Sequence, residues 1–544
     1  MTQQTTLHKF STLEYHRPLR TLITHAHSLL LEGKFGACLE FLYNQPAEVI
    51  DSSPKLMIIQ ATAMLFNECS PLAIDEVLTK AEQGGTEEHL AGEIAAIRAI
   101  ISSYTDNPDQ GIKLSQLALQ RLNPDDTFYH NMIERNLGVA YTLKNDLKNA
   151  NAWFERLLMS SCQLEDWGGV LAAYNYLTYI RKVQGRLAEA NTIYQKALKF
   201  IADRGLEHLP HAIKIISGYG HLLLYWHQLD KAKAYFNRAI RWANQTDVVH
   251  AYTAYQHLCE AHIRENNIQA AKSVLQDLQH RLLGRAELHE NIHLQQTQML
   301  ETRIAIEEGR IDHGYAWLRS SGLLDLPAKE LFDHYGYTLG QVLPIATRVL
   351  IHKGMPDRAI HIVKAVIPQF IHQGANSFLI RALVALAIAY EAVTTPQKAV
   401  TAFNKAIALG APEQNLGDFL YFGHSLIPLL KYISAIEQHQ PFTLKLLAHL
   451  ESYQPYKWVL IEHTQILPDL TAREIEVLKL MASGLTNQQI AEALFISKNT
   501  IKSHRSHIYQ KLDVANRNQA IDKAARLGIL ASSYNAAPRS VPRQ

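Results

Sequence analysis

The chain has 544 residues, of which 47% are apolar and 19% are charged, and its formal net charge is +2. This apolar fraction lies in the globular range, so wholesale disorder and the fibrous classes are excluded. At roughly 150 residues per domain the length suggests three or four domains, unless the chain is a repeat array that grows without enlarging one core. The longest apolar run, Ala382 to Tyr390, is far shorter than the ~18 residues of a membrane helix, so we expect no membrane span.

The small net charge hides an asymmetry along the chain. Residues 470–544 hold 11 Lys and Arg against 5 Asp and Glu, a balance of +6, whereas the other 469 residues carry −4. A basic module on a mildly acidic body favours nucleic acid as the partner at the C-terminal end. The first residues have no basic stretch followed by an apolar one, so we expect no secretory signal. Widely spaced cysteines predict buried, reduced thiols in a cytoplasmic protein: Cys38, Cys69, Cys162 and Cys259.

A repeat occupies the first four hundred residues. An aliphatic residue or Pro is followed three positions later by an anchor, usually a small residue, and an apolar residue lies four positions further on. Such anchors recur every 36 to 45 residues: Cys38, Ile74, Gly111, Ala150, Ala190, Ala232, Ala271, Gly314, Ala359 and Ala399. A small anchor lets two helix backbones approach closely, and positions four and seven later share its face. Each unit is therefore predicted to be a helix hairpin, and about ten stacked hairpins make an all-α solenoid.

One unit carries a recognisable pattern. Leu137-Gly138-x-x-Tyr141, with Ala150 and Phe154, resembles the tetratricopeptide (TPR) repeat. The units are longer than the usual length of roughly 34 residues, and this period is similar to that of the helical sensor domain of MalT-type transcription activators. HEAT-like packing is the alternative. Gly33-Lys34 is followed by Phe35 and has no Gly five positions before it, so we expect no phosphate-binding loop and no ATPase.

The loss of the repeat period and the position of two prolines suggest where the domains end. The periodicity stops near Gly410, and the stretch around Pro455 and Pro468 shows no helical period. We predict TPR-like repeats at 1–410, capping helices at 411–452, a linker at 453–469, a helix-turn-helix module at 470–530 and a flexible tail at 531–544.

Capping chemistry marks four helices in the C-terminal module. Thr471-x-x-Glu474 and Thr486-x-x-Gln489 are capping boxes, Ser497 caps a third helix that runs to about Leu512, and Asn516 opens a fourth. The second and third helices are joined by the short Phe495-Ile-Ser497 turn. This arrangement predicts a helix-turn-helix whose later helix can enter a DNA major groove.

The third helix has an apolar face and a basic polar face. On a helical wheel Ile508 and Leu512 each lie within about 20° of Ile501, so the three residues are predicted to face the core. No acidic residue occurs between Ser497 and Leu512, as contact with phosphates requires. Away from this face lie polar and basic residues: Lys498, Asn499, Lys502, Ser503, Arg505, Ser506, Gln510 and Lys511.

This module resembles the LuxR-type DNA-binding domain. The match runs from Leu470-Thr471-x-Arg473-Glu474, through Gly484-x-x-Asn487-x-x-Ile490-Ala491 and Ile496-Ser497-x-x-Thr500-Ile501-Lys502-x-His504, to Lys511-Leu512-x-Val514 and Arg517. The resemblance implies base contacts by Lys502, Ser503 and Ser506. It implies DNA-backbone contacts by Asn487, Ser497, Asn499, Thr500 and Arg505, to which the basic Lys498 is added. Ser506 stands where some relatives have Lys, so we expect a different operator.

The sequence offers no convincing catalytic or metal-binding site. Glu474 and Glu476 are better explained as helix-start residues than as a catalytic pair, and His504 and His507 have no third metal ligand nearby. We therefore expect no catalytic residue, metal or cofactor, and no enzyme activity.

The expected function is a sequence-specific transcription regulator, an activator whose solenoid senses a small ligand or a protein partner. Its partners would be double-stranded DNA, RNA polymerase and a second copy of the chain, with no membrane. Dimerisation is expected because one module reads only a short half-site. The fourth helix offers an apolar face for pairing, formed by Ala520, Ile521, Ala524, Ala525 and Leu527. The alternative is a TPR-type interaction scaffold with secondary DNA binding.

Overall fold

The computed structural model describes residues 19–452 and 470–530, except for 68, 85–86, 106, 245–250, 283–289, 328–329, 332–337, 394, 437–440 and 527–528. Every regular element in these ranges is a helix. This confirms the expected all-α class with a TPR-like solenoid and a helical C-terminal module. No helix in the described part of the chain is long and apolar enough to cross a bilayer. The expected linker 453–469 and tail 531–544 lie outside the described residues.

The helices form two compact units. The first contains the described residues up to Ile180 and Leu282–Gln296, and the second contains Arg181–Arg281 and the described residues from Thr297 onward. Helices α1 to α9 are Leu19–Leu31, Phe35–Tyr43, Ala47–Asp51, Pro54–Phe66, Pro71–Gln83, Glu88–Tyr104, Pro108–Arg121, Thr127–Leu143 and Leu147–Gln163. Helices α10 to α15 are Trp167–Val183, Leu187–Arg204, Pro210–Tyr225, Leu229–Ala243, Tyr252–Arg264 and Ile268–Leu282. Helices α16 to α21 are Glu290–Glu307, Ile311–Ser320, Leu339–His352, Pro356–His372, Asn376–Ala392 and Pro396–Gly410.

Shorter helices follow the repeats. They are α22 (Gly417–Leu420), a 3-10 turn (Gly423–Leu426), α23 (Ile427–Ile436) and α24 (Pro441–Glu451). The C-terminal module contains α25 (Ala472–Ala482), α26 (Asn487–Ala493), α27 (Lys498–Lys511) and α28 (Arg517–Arg526).

Glycine and aromatic side chains set the spacing within the hairpins. A Cβ atom added to Gly138 on α8 would lie 2.6 Å from the ring of Phe154 on α9, and one added to Gly220 on α12 would lie 2.6 Å from the ring of Phe236 on α13. The aromatic ring four positions after the anchor therefore occupies the space that a side chain on the preceding helix would need. All ten predicted anchors are buried, as close helix packing requires.

The turns between paired helices reverse the chain in the left-handed region. Asn145 has φ 61° and Gly185 has φ 74°, and each lies between the two helices of one hairpin. Asp146 follows the first turn and accepts a hydrogen bond from the Asn149 backbone N–H at 3.1 Å, which caps the start of α9.

The cysteines only partly match the expectation of buried thiols. All four are free, and Cys38 and Cys259 are buried. Cys69 is half-buried and Cys162 is exposed, so the prediction was wrong for Cys162. Its position on the helix face, rather than its residue type, decides its exposure.

Candidate nucleic-acid interface

The C-terminal module begins each of its first three helices with the caps that the sequence predicted. Thr471 and Glu474 form a complete capping box at α25, and Thr486 and Gln489 form one at α26. The Ser497 hydroxyl accepts a hydrogen bond from the Thr500 backbone N–H at 3.1 Å and lies 2.8 Å from the Thr500 hydroxyl. Each cap fixes a helix start, and together they fix the direction in which α27 leaves the turn.

Helix α27 separates its core face from its outer face as predicted. Ile501 and Ile508 are fully buried and Leu512 is 1% exposed. The three residues expected to read bases, Lys502, Ser503 and Ser506, are all exposed. Of the residues expected to contact the DNA backbone, Ser497, Lys498, Asn499 and Thr500 are exposed, whereas Asn487 and Arg505 are half-buried.

The half-buried pair is held in place inside the module. The Arg505 guanidinium donates to the Asn487 side-chain oxygen at 2.9 Å and to the Tyr509 hydroxyl at 2.7 Å, and it lies over the Tyr509 ring. These contacts join α26 to α27 and fix the position of one positive charge. Sequence reasoning missed Tyr509, although its spacing of one helical turn from Arg505 is compatible with this contact.

Two serine hydroxyls of this region already take part in hydrogen bonds with the backbone of α27. Ser497 caps α27, and Ser503 donates to the Asn499 backbone carbonyl at 3.3 Å. In the described part of the chain Lys498 and Lys502 take part in no ion pair or hydrogen bond. The outer face of α27 therefore presents two uncommitted ammonium groups to solvent.

Two arginines that the sequence analysis did not single out for this role support the turns around the interface. Arg473 donates to the Leu494 carbonyl at 2.7 Å, which satisfies the C-terminal end of α26. Arg517 donates to the carbonyls of Met481 and Leu485 at 2.6 and 2.7 Å, which fixes the turn between α25 and α26. Both arginines thus donate hydrogen bonds to backbone carbonyls that have no partner within their own helix.

Glu474 joins the first helix to the end of the third. Its carboxylate accepts hydrogen bonds from Lys511 Nζ at 2.7 Å and from the Thr471 backbone N–H at 2.8 Å. Burial acts to raise the pKa of Glu474, but these bonds to Lys511 and Thr471 outweigh it and hold the pKa below its ordinary value. The carboxylate is thus a structural cap, and Lys511 is engaged inside the module.

Burial and geometry bear on two other expectations. Two members of the expected pairing face, Ala520 and Ala524, are fully buried within the unit and serve internal packing, while Ile521 is half-buried. The side chain of Ala525 and residue Leu527 lie outside the described part of the chain. His507 Nδ1 lies 4.0 Å from a Glu474 carboxylate oxygen. Across the described ranges, no group of three or more His, Cys, Asp or Glu could hold a metal ion.

Family comparison agrees with this geometry. Residues 92–435 match the model of the MalT-like TPR region. The chain belongs to this family. Behind the MalT-like TPR region, residues 468–524 match the model of the bacterial regulatory proteins of the luxR family. A luxR-family domain supports a DNA-binding transcription regulator, and both domains are of kinds typical of proteins that are not enzymes.

Three solved structures are similar to the chain at low sequence identity. The chain is similar to the Rap protein in complex with Competence and Sporulation Factor, with 10% identity and a TM-score of 0.45 over 73% of this chain and 98% of that one. It is similar to the APC/C hetero-tetramer Cut9-Hcn1, with 12% identity and a TM-score of 0.38 over 80% and 90%. It is also similar to the apo form of RapI, with 11% identity and a TM-score of 0.39 over 71% and 98%.

Proposed function

We propose that the protein is a cytoplasmic, sequence-specific transcription activator that inserts α27 into a DNA major groove. In this proposal Lys502, Ser503 and Ser506 contact base edges, and the residues around the start of α27 contact phosphates: Asn487, Ser497, Lys498, Asn499, Thr500 and Arg505. The MalT-like TPR region binds a small ligand or a protein partner and passes that signal to the luxR-family domain.

The uncommitted outer face of α27 supports this proposal most strongly. Lys498 and Lys502 are exposed, and no carboxylate on the helix competes with DNA for their charge. Ammonium groups that release counterions from phosphates supply much of the binding free energy, and Lys reaches guanine acceptors in the major groove. The fixed Arg505 guanidinium adds a third positive charge near the same face.

Homodimerisation and contact with RNA polymerase complete the proposal. One helix reads only a short half-site, so two copies are needed for a specific operator. Because Ala520 and Ala524 are buried within the unit, we place the dimer contact elsewhere on the protein.

Selection of duplexes from a random pool by the full-length protein tests the proposal. We expect one enriched motif with two half-sites, bound at least a hundredfold more tightly than a scrambled duplex at the same salt concentration. Enrichment of no motif, with salt-sensitive but sequence-blind binding, would favour an interaction scaffold with secondary DNA binding.

A further inference from the structure

Three basic side chains from successive hairpins meet in the second unit. Lys182 lies on α10, His221 on α12 and His257 on α14. Lys182 Nζ lies 3.3 Å from His221 Nδ1, and the rings of His221 and His257 are stacked with their centroids 3.8 Å apart and an interplanar angle of 18°. We call these three residues the basic triad.

The basic triad forms an inclined row across the three helices. Lys182 lies one residue before the end of α10, His221 four before the end of α12, and His257 seven before the end of α14. From one hairpin to the next, the triad residue therefore moves about one helical turn further away from the C-terminal end of its helix. The row brings together the side chains of residues far apart in the sequence.

The arginines around the triad form ion pairs with carboxylates of the same unit, and Arg264 and Arg303 share Glu260. Arg381 donates to Asp418 at 2.6 Å, and Arg264 donates to Glu260 at 2.6 Å. Arg303 also pairs with Glu260. Each of these guanidinium groups thus has a charge partner, as buried ions require.

Lys182 lacks such a partner. It is 6% exposed, and among the described residues its ammonium contacts only the His221 ring nitrogen and the face of the Tyr194 ring. His257 Nδ1 is buried and has no hydrogen-bond partner among the described residues. Burial, and then the positive charges of Lys182, Arg264 and Arg381, lower the pKa of His257 to about 3. The triad therefore offers donors and positive charge with no acid to receive them.

The hairpins that carry the triad are already contacted by another segment of the chain, which favours a small ligand over an extended chain. The segment that follows α21 already lies against the same hairpins: Glu413 accepts hydrogen bonds from the Ala188 backbone N–H at 2.9 Å and from Trp226 Nε1 at 3.0 Å. Further along this segment, Arg303 stacks on the Tyr421 ring at 3.6 Å. The side chains of His221 and His257 are half-buried, whereas Lys182 behind them is buried.

We propose that Lys182, His221 and His257 bind the anionic group of a small ligand, a carboxylate or a phosphate, and that this ligand is the signal sensed by the MalT-like TPR region. The first part concerns binding alone, and the second rests on the proposed function. An anion would accept a charge-assisted hydrogen bond from Lys182 and one from a ring N–H of the histidines, and it would neutralise the buried ammonium. Such a bond recovers the free energy that burial of an unpaired charge costs.

The test uses the full-length protein without DNA, with inorganic phosphate and acetate as probes at ionic strength matched with chloride. We expect at least one probe to raise the midpoint of thermal unfolding in a saturable way. Phosphate alone would identify a phosphate ligand, and acetate alone would identify a carboxylate ligand. Lys182→Gln should weaken saturable binding at least tenfold and leave only the small, unsaturable rise that phosphate gives any protein. Lys182→Arg should retain part of the binding.

Lys199→Gln is the matched control, since Lys199 is an exposed lysine of the neighbouring helix α11. It should bind like the wild type. No saturable effect of either probe, or equal binding by Lys182→Gln, would overturn the site. Sequence-specific DNA binding without anion binding would refute the site alone. Anion binding without specific DNA binding would keep the site and refute its role in a transcription regulator.

Discussion

Replacing Lys182 by Met should stabilise the protein. Methionine keeps an unbranched side chain of similar length but removes an ammonium that is 6% exposed and has no carboxylate partner among the described residues. Burial lowers the pKa of Lys182 from 10.5 to about 7. At about 1.4 kcal/mol per pH unit, holding this charge in the folded state costs about 5 kcal/mol. The lost hydrogen bond to His221 offsets about 1–2 kcal/mol of the gain, so we expect a net stabilisation of about 3 kcal/mol at pH 7.

The sign of the pH dependence follows from the lowered pKa. Between pH 7 and 10.5 the unfolded chain holds the Lys182 proton more often than the folded chain does. The free energy of unfolding of the wild type therefore rises with pH over this window, and the penalty is complete at or below about pH 7. Lys182→Met lacks this linkage, so its advantage over the wild type should shrink steadily as the pH rises.

Denaturant titrations at pH 7, 8 and 9, on the wild type, Lys182→Met and the exposed control Lys199→Met, measure this effect. We expect the midpoint for Lys182→Met to exceed that of the wild type most at pH 7, while Lys199→Met matches the wild type throughout. A Lys182→Met protein that is less stable than the wild type, or whose advantage does not change with pH, would refute the argument that the ammonium is buried without compensation.

Three further outcomes are expected. Arg381→Met should lower the free energy of unfolding by about 3–5 kcal/mol in denaturant titrations, because Asp418 is fully buried and would lose its charge partner. Ser506→Lys should shift the motif selected from random duplexes toward guanine at one position per half-site, since Lys reaches the guanine acceptors. Glu474→Gln should destabilise the luxR-family domain by about 1–3 kcal/mol through its lost bonds to Lys511. The pKa of Glu474 is lower in the folded than in the unfolded protein. The carboxylate therefore contributes fully to the free energy of unfolding above about pH 4.3, and this contribution is lost as the pH falls through the pKa of the folded state.

For each of these three substitutions, one result would contradict the expectation. Unchanged stability of Arg381→Met would mean that Asp418 finds other compensation from Ser377 and Asn415, whose side chains already donate to it. An unaltered motif for Ser506→Lys would remove Ser506 from the base contacts. Equal loss of stability at low pH in Glu474→Gln and the wild type would assign the acid sensitivity to another carboxylate.

Local chemistry explains what the sequence predicted well. Caps such as Thr471 with Glu474 act over three residues, and the buried face of α27, with Ile501 and Ile508, follows from the helical period. The pattern of a small buried anchor and an apolar residue four positions later, as at Ala150 and Phe154, recurs along the chain, so the sequence alone predicts the solenoid.

Contacts between distant segments could not be read in this way. The members of the basic triad are 36 and 39 residues apart, close to the repeat period, but each occupies a different turn of its helix, so comparison at a fixed repeat position does not align them. Arg505 and Asn487 are on different helices, and only the crossing of α26 and α27 brings them to 2.9 Å. The burial of Ala520 and Ala524 likewise depends on how α28 packs, which an apolar stripe does not specify.

The most direct test of the central claim, that α27 reads DNA sequence, compares Lys502→Ala with Lys523→Ala, a lysine of α28 outside the proposed contacts. Binding of each full-length protein to the selected operator, and to all of its single-base variants, is measured at one salt concentration. We predict that Lys502→Ala loses about 1–3 kcal/mol of binding free energy and its base preference at one position per half-site, whereas Lys523→Ala keeps both. Equal, sequence-independent weakening by both substitutions would contradict the account.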